Sequence, residues 1–282
     1  MTQEVNGRRH HYHAETSVLA GTLRLPINRE IGPPATASLP QEGGYLTQRA
    51  DSFSVESVIT FRSAYTHVAG NLSLKPGHGW TTLSTTVVEG LNVLDVVTAD
   101  RIVGQMITEH PLDGYVPSVC FLGTRFENLR ICGHKVSLEL DLEILGAKPA
   151  NDASYASDPG VQTRVRSQYG KVLETEGLPE ETREHYNRLV PTVGNRERVE
   201  CSLVHRATGD FPGHSHGHVI YVPEFGKIVL GKVTVTHEDL IRGTETPKKT
   251  TVQLTMLDLY MGCAGDGHVP IGGGHTNGTT VP

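Results

Sequence analysis

The chain has 282 residues, of which 37% are hydrophobic and 20% are charged, so it can bury a core and is not intrinsically disordered. Its net charge is −6 and its basic residues are scattered, which argues against nucleic acid as a partner. It has no apolar run of transmembrane length and no apolar N-terminal segment typical of a secretory signal, so we expect no membrane partner and a cytoplasmic location.

The first half of the chain shows the two-residue periodicity of β-strands. Residues 1–14 are predicted to be a flexible N-terminus, and residues 26–50, which are rich in proline and glycine, a long irregular connection. Apolar residues share a parity within 19–25 and again within 53–61. Residues 80–108 are rich in threonine and valine and predict two or three strands.

The clearest strand prediction covers residues 135–145. Five apolar residues there alternate with charged or polar ones: Val136, Leu138, Leu140, Leu142 and Ile144. Successive side chains of a strand point to opposite faces, so this segment has one apolar face and one charged face.

Helical spacing appears in a single stretch, residues 158–190. Asp158 is a suitable N-cap, and Pro159 follows it at the first helical position. A second helix is predicted to begin near Leu178, with an acidic first turn, and to end at Pro191.

Strand periodicity returns after the helices. Within residues 227–237 the apolar parity changes at Gly231, which predicts a β-bulge. We therefore predict a mainly β protein, an antiparallel β-sandwich or distorted barrel with a short helical insertion, because so many strands need two layers to bury their apolar faces.

The predicted organisation is a single large β domain over residues 15–264. It consists of a β block at 15–146, the helical insertion at 158–190 and a second β block at 198–264. Residues 265–282 form a glycine-rich C-terminal tail, which we expect to be loose or extended.

The four cysteines lack the spacing of metal-cluster ligands: Cys120, Cys132, Cys201 and Cys263. All of them lie in, or directly after, apolar segments with strand character. Buried thiols in a reducing compartment fit this placement better than disulfides do.

Histidines are the most conspicuous candidates for a site. His214, His216 and His218 alternate, so in an extended strand their rings would project from one face, about 7 Å apart. Imidazole suits Zn²⁺, Fe²⁺ or Mn²⁺, and this row could hold one of these ions.

Two segments resemble the metal-binding signatures of cupins. The first comprises His216, His218, Glu224 and Gly231, and the second is Pro270-Ile271-Gly272-Gly273-Gly274-His275. The resemblance implies a small barrel on which His216, His218, Glu224 and His275 bind the metal. His214 joins these four residues in the full set of predicted metal ligands.

The same histidine segment has other interpretations. Residues 213–218 are also consistent with a polar hairpin or surface loop whose histidines are solvated, or with adventitious metal binding. Gly213-His214-Ser215-His216-Gly217 matches the pattern around a hydrolase nucleophile, but that motif needs a strand before the serine and a helix after it.

Three further features have a structural and a functional interpretation. Cys132 and His134 could form a nucleophile and base, although a strand-end or turn role is favoured. Arg125 and Glu127 could read a ligand or form a surface ion pair. Trp80 follows a glycine–proline turn, where a tryptophan is either a sugar platform or a plug at the end of a core.

The residues do not assemble a complete catalytic constellation. The favoured hypothesis is a non-catalytic, β-rich binding or self-assembling protein, which forms homo-oligomers because long strands leave edges that need covering. The alternative is a metal-dependent, cupin-like oxygenase or isomerase that uses the histidine cluster.

Overall fold

The computed structural model describes residues 4–5, 7–25, 28–190, 197–239, 248–262 and 266–281. It is mainly β, with several antiparallel sheets and two α-helices. The predicted class is confirmed. The sandwich is the form adopted, since none of the sheets in the described ranges closes into a barrel.

Seventeen strands precede the helices: β1 (Glu4–Val5), β2 (Arg8–His11), β3 (Ala14–Leu19), β4 (Gly21–Leu23), β5 (Arg29–Ile31), β6 (Thr36–Ser38), β7 (Gly44–Ala50), β8 (Phe53–Val55), β9 (Ile59–Phe61), β10 (Ser63–Leu72), β11 (Trp80–Val93), β12 (Val97–His110), β13 (Ser118–Cys120), β14 (Arg125–Glu127), β15 (Arg130–Ile131), β16 (His134–Lys135) and β17 (Ser137–Leu140). Two strands lie within 80–108, as predicted, because the backbone continues through Gly90 and Gly104.

A short 3₁₀ helix (Ala150–Asp152) leads into α1 (Pro159–Leu173) and α2 (Glu180–Leu189). Eight strands follow: β18 (Arg198–Ser202), β19 (Val204–Thr208), β20 (His214–His216), β21 (Val219–Val222), β22 (Gly226–Asp239), β23 (Lys248–Met261), β24 (Gly267–Thr276) and β25 (Thr279–Val281).

Two ten-stranded sheets form the layers of the sandwich. The main path of the first sheet follows the order β16-β15-β12-β11-β10-β7, and that of the second the order β20-β21-β22-β23-β24-β3-β6. The other strands of each sheet pair beside these paths: β8, β9, β13 and β14 in the first, and β4, β5 and β18 in the second. β11 packs on β3 and β24, and β12 packs on β23 and β24. The layers approach closely at Gly104, where a Cβ would lie 3.0 Å from the Gly272 carbonyl oxygen.

The helical insertion is confirmed and lies against the second sheet. The Asp158 carboxylate accepts a hydrogen bond of 2.9 Å from the Val161 amide, which caps α1 as predicted. Tyr169 of α1 donates to the Glu200 carbonyl at 2.7 Å. Tyr186 of α2 donates to the His216 carbonyl at 2.5 Å, so both helices are anchored to this sheet. The predicted stop at Pro191 lies outside the described residues.

Both ends of the chain differ from expectation because they form strands. Residues 9–11, expected to be flexible, pair with residues 279–281. The glycine-rich residues 267–276 form β24, which is extended and lies between β23 and β3 in the second sheet. Glycine suits this position, since a Cβ at Gly274 would lie 2.6 Å from the Ser84 hydroxyl of the other sheet. The boundaries drawn at 14 and 264 therefore do not delimit the β structure.

Three local predictions need correction. Residues 26–50 contain β5, β6 and β7 and are not one irregular connection. The strand predicted over 135–145 ends at Leu140, because the Asp141 carboxylate accepts from the Glu143 amide at 3.1 Å and begins a turn. Gly231 has a left-handed φ of 58°, but the register of β22 with β23 is the same on both sides of it.

No helix in the described ranges is both long enough and apolar enough to cross a membrane.

Candidate ligand pocket

A pocket of about 390 Å³ lies between α2 and the ends of β21, β22 and β23. The side chains that matter for its chemistry are Glu181, His214, Tyr221, Lys227, Tyr260 and Met261. Its base is the tight turn from β21 into β22, where Gly226 has a φ of 121° and a Cβ would collide with the Tyr260 carbonyl oxygen.

Lys227 is the cationic group of the pocket. Its Nζ lies 4.5 Å from the centroid of the Tyr260 ring, a cation–π contact. Within the described ranges its ammonium has neither an ion pair nor a hydrogen bond. Partial burial lowers the pKa of Lys227, the Glu181 carboxylate opposes the shift, and Arg188 adds to it.

Strand register builds a row of three side chains across the base of the pocket. Lys227 of β22 pairs with Tyr260 of β23, and Tyr260 pairs with His268 of β24. Residues directly opposite one another on neighbouring strands share a face of the sheet. The Tyr260 and His268 rings accordingly stack, with centroids 4.5 Å apart and planes 22° apart.

A buried carboxylate fixes this row in place. Asp258, whose side chain is only 5% exposed, lies 2.6 Å from His268 Nε2 and accepts from the Tyr260 hydroxyl at 3.0 Å. Lys232 Nζ lies 3.5 Å from Asp258 and 3.7 Å from Glu200. Burial, reinforced by Asp258, raises the pKa of Tyr260, so this phenol remains protonated near neutral pH.

Two buried polar atoms beside the pocket have no hydrogen-bond partner in the described structure: the Tyr221 hydroxyl and His185 Nε2. Burial raises the pKa of Tyr221, and a Thr182 contact from α2 opposes this shift without reaching hydrogen-bond geometry. Burial lowers the pKa of His185 to about 4, and Lys227 is the charge that adds most to this shift. Buried polar groups usually have partners, so these two atoms are exceptions among the described residues.

The structure brings two of the predicted metal ligands together. His214 and His216 lie on β20 with ring centroids 5.1 Å apart, and His214 stacks on Tyr221 at 5.1 Å. Burial lowers the pKa of His216. His214 therefore lines the ligand pocket, and His216 lies beside it on the same strand.

His218 lies apart from that pair. The strand ends at His216, and Gly217 (φ 59°) directs His218 into the core, where it is 3% exposed. Its Nδ1 lies 3.3 Å from the Tyr186 hydroxyl, and burial lowers its pKa to about 3. The expected row of three parallel imidazoles is wrong because the extended conformation stops one residue too early.

Glu224 and His275 are also separate from the pair. Glu224 is exposed in the turn before β22, with a φ of 61°. His275 pairs with Gln253, seven residues along β23 from Tyr260 of the pocket, which is about 23 Å. The described residues contain no group of three or more histidine, cysteine or acidic side chains placed to hold a metal.

The two predicted nucleophiles, Ser215 and Cys132, have structural roles. The Ser215 hydroxyl donates to the Ala207 carbonyl at 2.7 Å, and a strand follows it, not a helix. Cys132 occupies a turn with a φ of 49°, and His134 is exposed. The turn role favoured for Cys132 is confirmed.

The remaining sequence candidates are resolved in the same way. Arg125 and Glu127 form an ion pair of 2.7 Å on the surface, with side chains 45% and 42% exposed. The expectation of buried thiols holds for Cys201, whose pKa burial raises, but Cys120 and Cys132 are partly exposed. Cys263 lies outside the described residues.

A second polar cluster lies in the core at the other end of β24. His10, Tyr12, Trp80 and His110 are each at most 2% exposed, so Trp80 is a core residue. The His10 ring lies 4.5 Å from His110 and 5.4 Å from Trp80, centroid to centroid. Each of the four has a buried nitrogen or oxygen atom without a partner in the part of the chain described.

A comparison with protein families gives a match over residues 10–236, to the family described as Domain of unknown function (DUF8256). The chain belongs to this family. The match includes both helices, Tyr221 and Lys227, whereas β23 and β24 lie beyond it. No curated protein and no solved structure matches the chain.

Sequence reasoning missed Lys227, Asp258, Tyr260 and His268. One signal was available, because Asp258 and Tyr260 interrupt the apolar run of residues 254–261 at alternate positions. An acidic residue within a buried strand needs a partner, and this points to a nearby cation or imidazole. Which strand supplies that partner depends on pairing that the sequence does not reveal.

Proposed function

We propose that the protein binds a small organic carboxylate in the pocket between α2 and β21–β23. The observation that carries the proposal is Lys227, a half-buried ammonium in the pocket that forms no ion pair within the described residues, although Glu181 also lines the pocket. A partly desolvated cation in a concave site attracts an anion, because the interaction is stronger there than in water.

The walls of the pocket favour a ligand with an apolar body. Met261 and the rings of Tyr221 and Tyr260 supply apolar and aromatic surface around the ammonium. The Lys227 ammonium supplies the hydrogen-bond donors that a carboxylate oxygen can use. This arrangement makes the favoured hypothesis of a non-catalytic binding protein more specific.

The test compares benzoate with benzamide, its uncharged analogue, by titration calorimetry. We expect the wild-type protein to bind benzoate more tightly. Lys227→Met should weaken benzoate binding about tenfold or more, since a hydrogen bond to a charged group contributes about 1.5–3 kcal/mol. Lys75→Met, at an exposed turn, is the matched control and should change nothing.

An unchanged affinity for benzoate in Lys227→Met would refute the proposal. The proposal would also be refuted if the wild-type protein bound benzamide as tightly as benzoate.

A second candidate function is self-association through the edge of the first sheet. β7 ends that sheet, and most of its residues are exposed, including Tyr45 at 79%. Light scattering coupled to size exclusion tests the proposed homo-oligomer, and a strict monomer at all concentrations would contradict it.

The metal-dependent alternative, with Zn²⁺, Fe²⁺ or Mn²⁺, stays a prediction, as does the cytoplasmic location. The His214–His216 pair is the part of the predicted ligand set that the geometry supports. Elemental analysis of untagged protein tests it, and only trace metal would contradict it.

A further inference from the structure

Lys227 has surroundings that suit a lysine nucleophile. Its Nζ lies over the Tyr260 ring, the pocket around it is lined by Tyr221 and Met261, and Glu181 is the one acidic side chain of the described lining, which acts on Lys227 without forming an ion pair. Such a lysine loses its proton more readily than an exposed one, because burial and nearby cations disfavour the ammonium form. The resulting neutral amine can attack a carbonyl carbon.

We infer that Lys227 forms a reversible imine with small 2-oxo acids bound in this pocket. The inference rests on the proposed carboxylate-binding function and adds the substrate class, a carboxylate with an adjacent carbonyl group. Tyr221 pairs with Lys227 across β21 and β22 and lines the pocket beside it, and His185 lies near enough for Lys227 to lower its pKa.

The chemical step needs no oxidant or reductant. The lone pair of Nζ adds to the carbonyl carbon, and the π electrons of the C=O bond move to oxygen, which takes a proton. The carbinolamine then expels that oxygen as water. The two hydrogens of this water are the two that Nζ carried as a neutral amine. The product holds a C=N bond between Lys227 and the former carbonyl carbon, and water reverses the reaction.

Borohydride trapping of the full-length protein tests this inference. The protein is incubated with pyruvate and then with sodium borohydride, which delivers hydride to the imine carbon and makes the link permanent. Intact mass and peptide mapping should show one carboxyethyl adduct per chain, at Lys227, under conditions that leave Lys75 unmodified. Excess benzoate should suppress the adduct in the wild-type protein.

Benzoate binding and adduct formation are measured on the same wild-type protein, so the two proposals can fail separately. Lys227→Arg, which cannot form the imine, should abolish the adduct at position 227. Two outcomes in wild-type protein that still binds benzoate would overturn imine formation and leave carboxylate binding standing. One is an adduct spread over exposed lysines, and the other is the absence of an adduct at Lys227. If the wild-type protein neither binds benzoate nor forms the adduct, both carboxylate binding and imine formation are overturned.

Discussion

Lowering the pH from about 7.5 to about 5 should destabilise the folded chain through its buried histidines. Burial lowers the pKa of His110 to about 4, of His218 to about 3 and of His10 to about 2, each from an ordinary value of 6.5. The His10–His110 pair repels additional charge, and Arg8 and His11 act on His10 in the same direction.

The depressed pKa values of these histidines determine whether acid raises or lowers the free energy of unfolding. The unfolded chain takes up protons on these rings below about pH 6.5, whereas the folded chain does not. Stability is therefore fully present above pH 6.5 and is lost as the pH falls towards the folded pKa. For His218 alone the loss at pH 5 is about 2 kcal/mol, since each pH unit below 6.5 is equivalent to about 1.4 kcal/mol. That is a large fraction of the 5–15 kcal/mol typical of a domain.

The assay is urea unfolding at a series of pH values between about 7.5 and 5, with the free energy of unfolding plotted against pH. His218→Gln, which cannot titrate, should reduce the slope below about pH 6 by about 1.4 kcal/mol per pH unit and should leave it nearly unchanged above about pH 6.5. His134→Gln, at an exposed position, is the matched control. A wild-type free energy that stays flat down to pH 5, or a His218→Gln slope equal to that of wild type, would refute the reasoning.

Three further predictions concern single residues. Asp158→Ala removes the cap of α1 and should cost about 1 kcal/mol in urea unfolding; no loss would show that the cap is not needed. Gly226→Ala forces a side chain into a left-handed backbone against the Tyr260 carbonyl and should lower stability by about 1–3 kcal/mol, seen as a lower Tm; an unchanged Tm would contradict the geometry. Asp258→Asn removes the charge that His268 and Lys232 face and should cost about 1–3 kcal/mol by the same measurement, whereas a stabilised variant would mean that the network is a net burden.

Sequence periodicity predicted strands well where a strand is straight and half-buried. Val136, Leu138 and Leu140 follow the predicted alternation, and the prediction failed only beyond Asp141. The same reasoning failed at His218, because a two-residue period assumes that the backbone stays extended. One glycine in a left-handed conformation, Gly217, was enough to reverse the direction of the side chain.

Composition misled where glycine has a packing role. The segment 267–276 looks loose because it is rich in glycine, yet it lies between two strands of a closely packed sandwich. Gly272 and Gly274 face Met256 and Ser84, respectively, at distances that exclude a larger side chain without rearrangement. A glycine-rich segment is therefore ambiguous until its neighbours are known.

The ligand pocket could not be predicted for a different reason. Lys227, Tyr260 and His268 form one row only because β22, β23 and β24 pair in a particular register, and a shift by one residue would turn each side chain to the other face. Register depends on contacts between distant parts of the chain. The sequence offered a conspicuous histidine motif nearby, of which His214 lines the site and His216 contacts His214.

The two polar regions of the molecule should respond to mutation independently. They lie at opposite ends of β24, where Thr276 follows His268 by eight positions, about 27 Å along the strand and well beyond the Debye length of about 8 Å at physiological salt. A charge on His110 therefore has little effect on the pKa of Lys227. His218 differs, because it contacts Tyr186 of α2, the helix that covers the pocket. Protonation of His218 should thus weaken carboxylate binding more than protonation of His110 does, and His110→Gln should leave benzoate affinity unchanged at neutral pH.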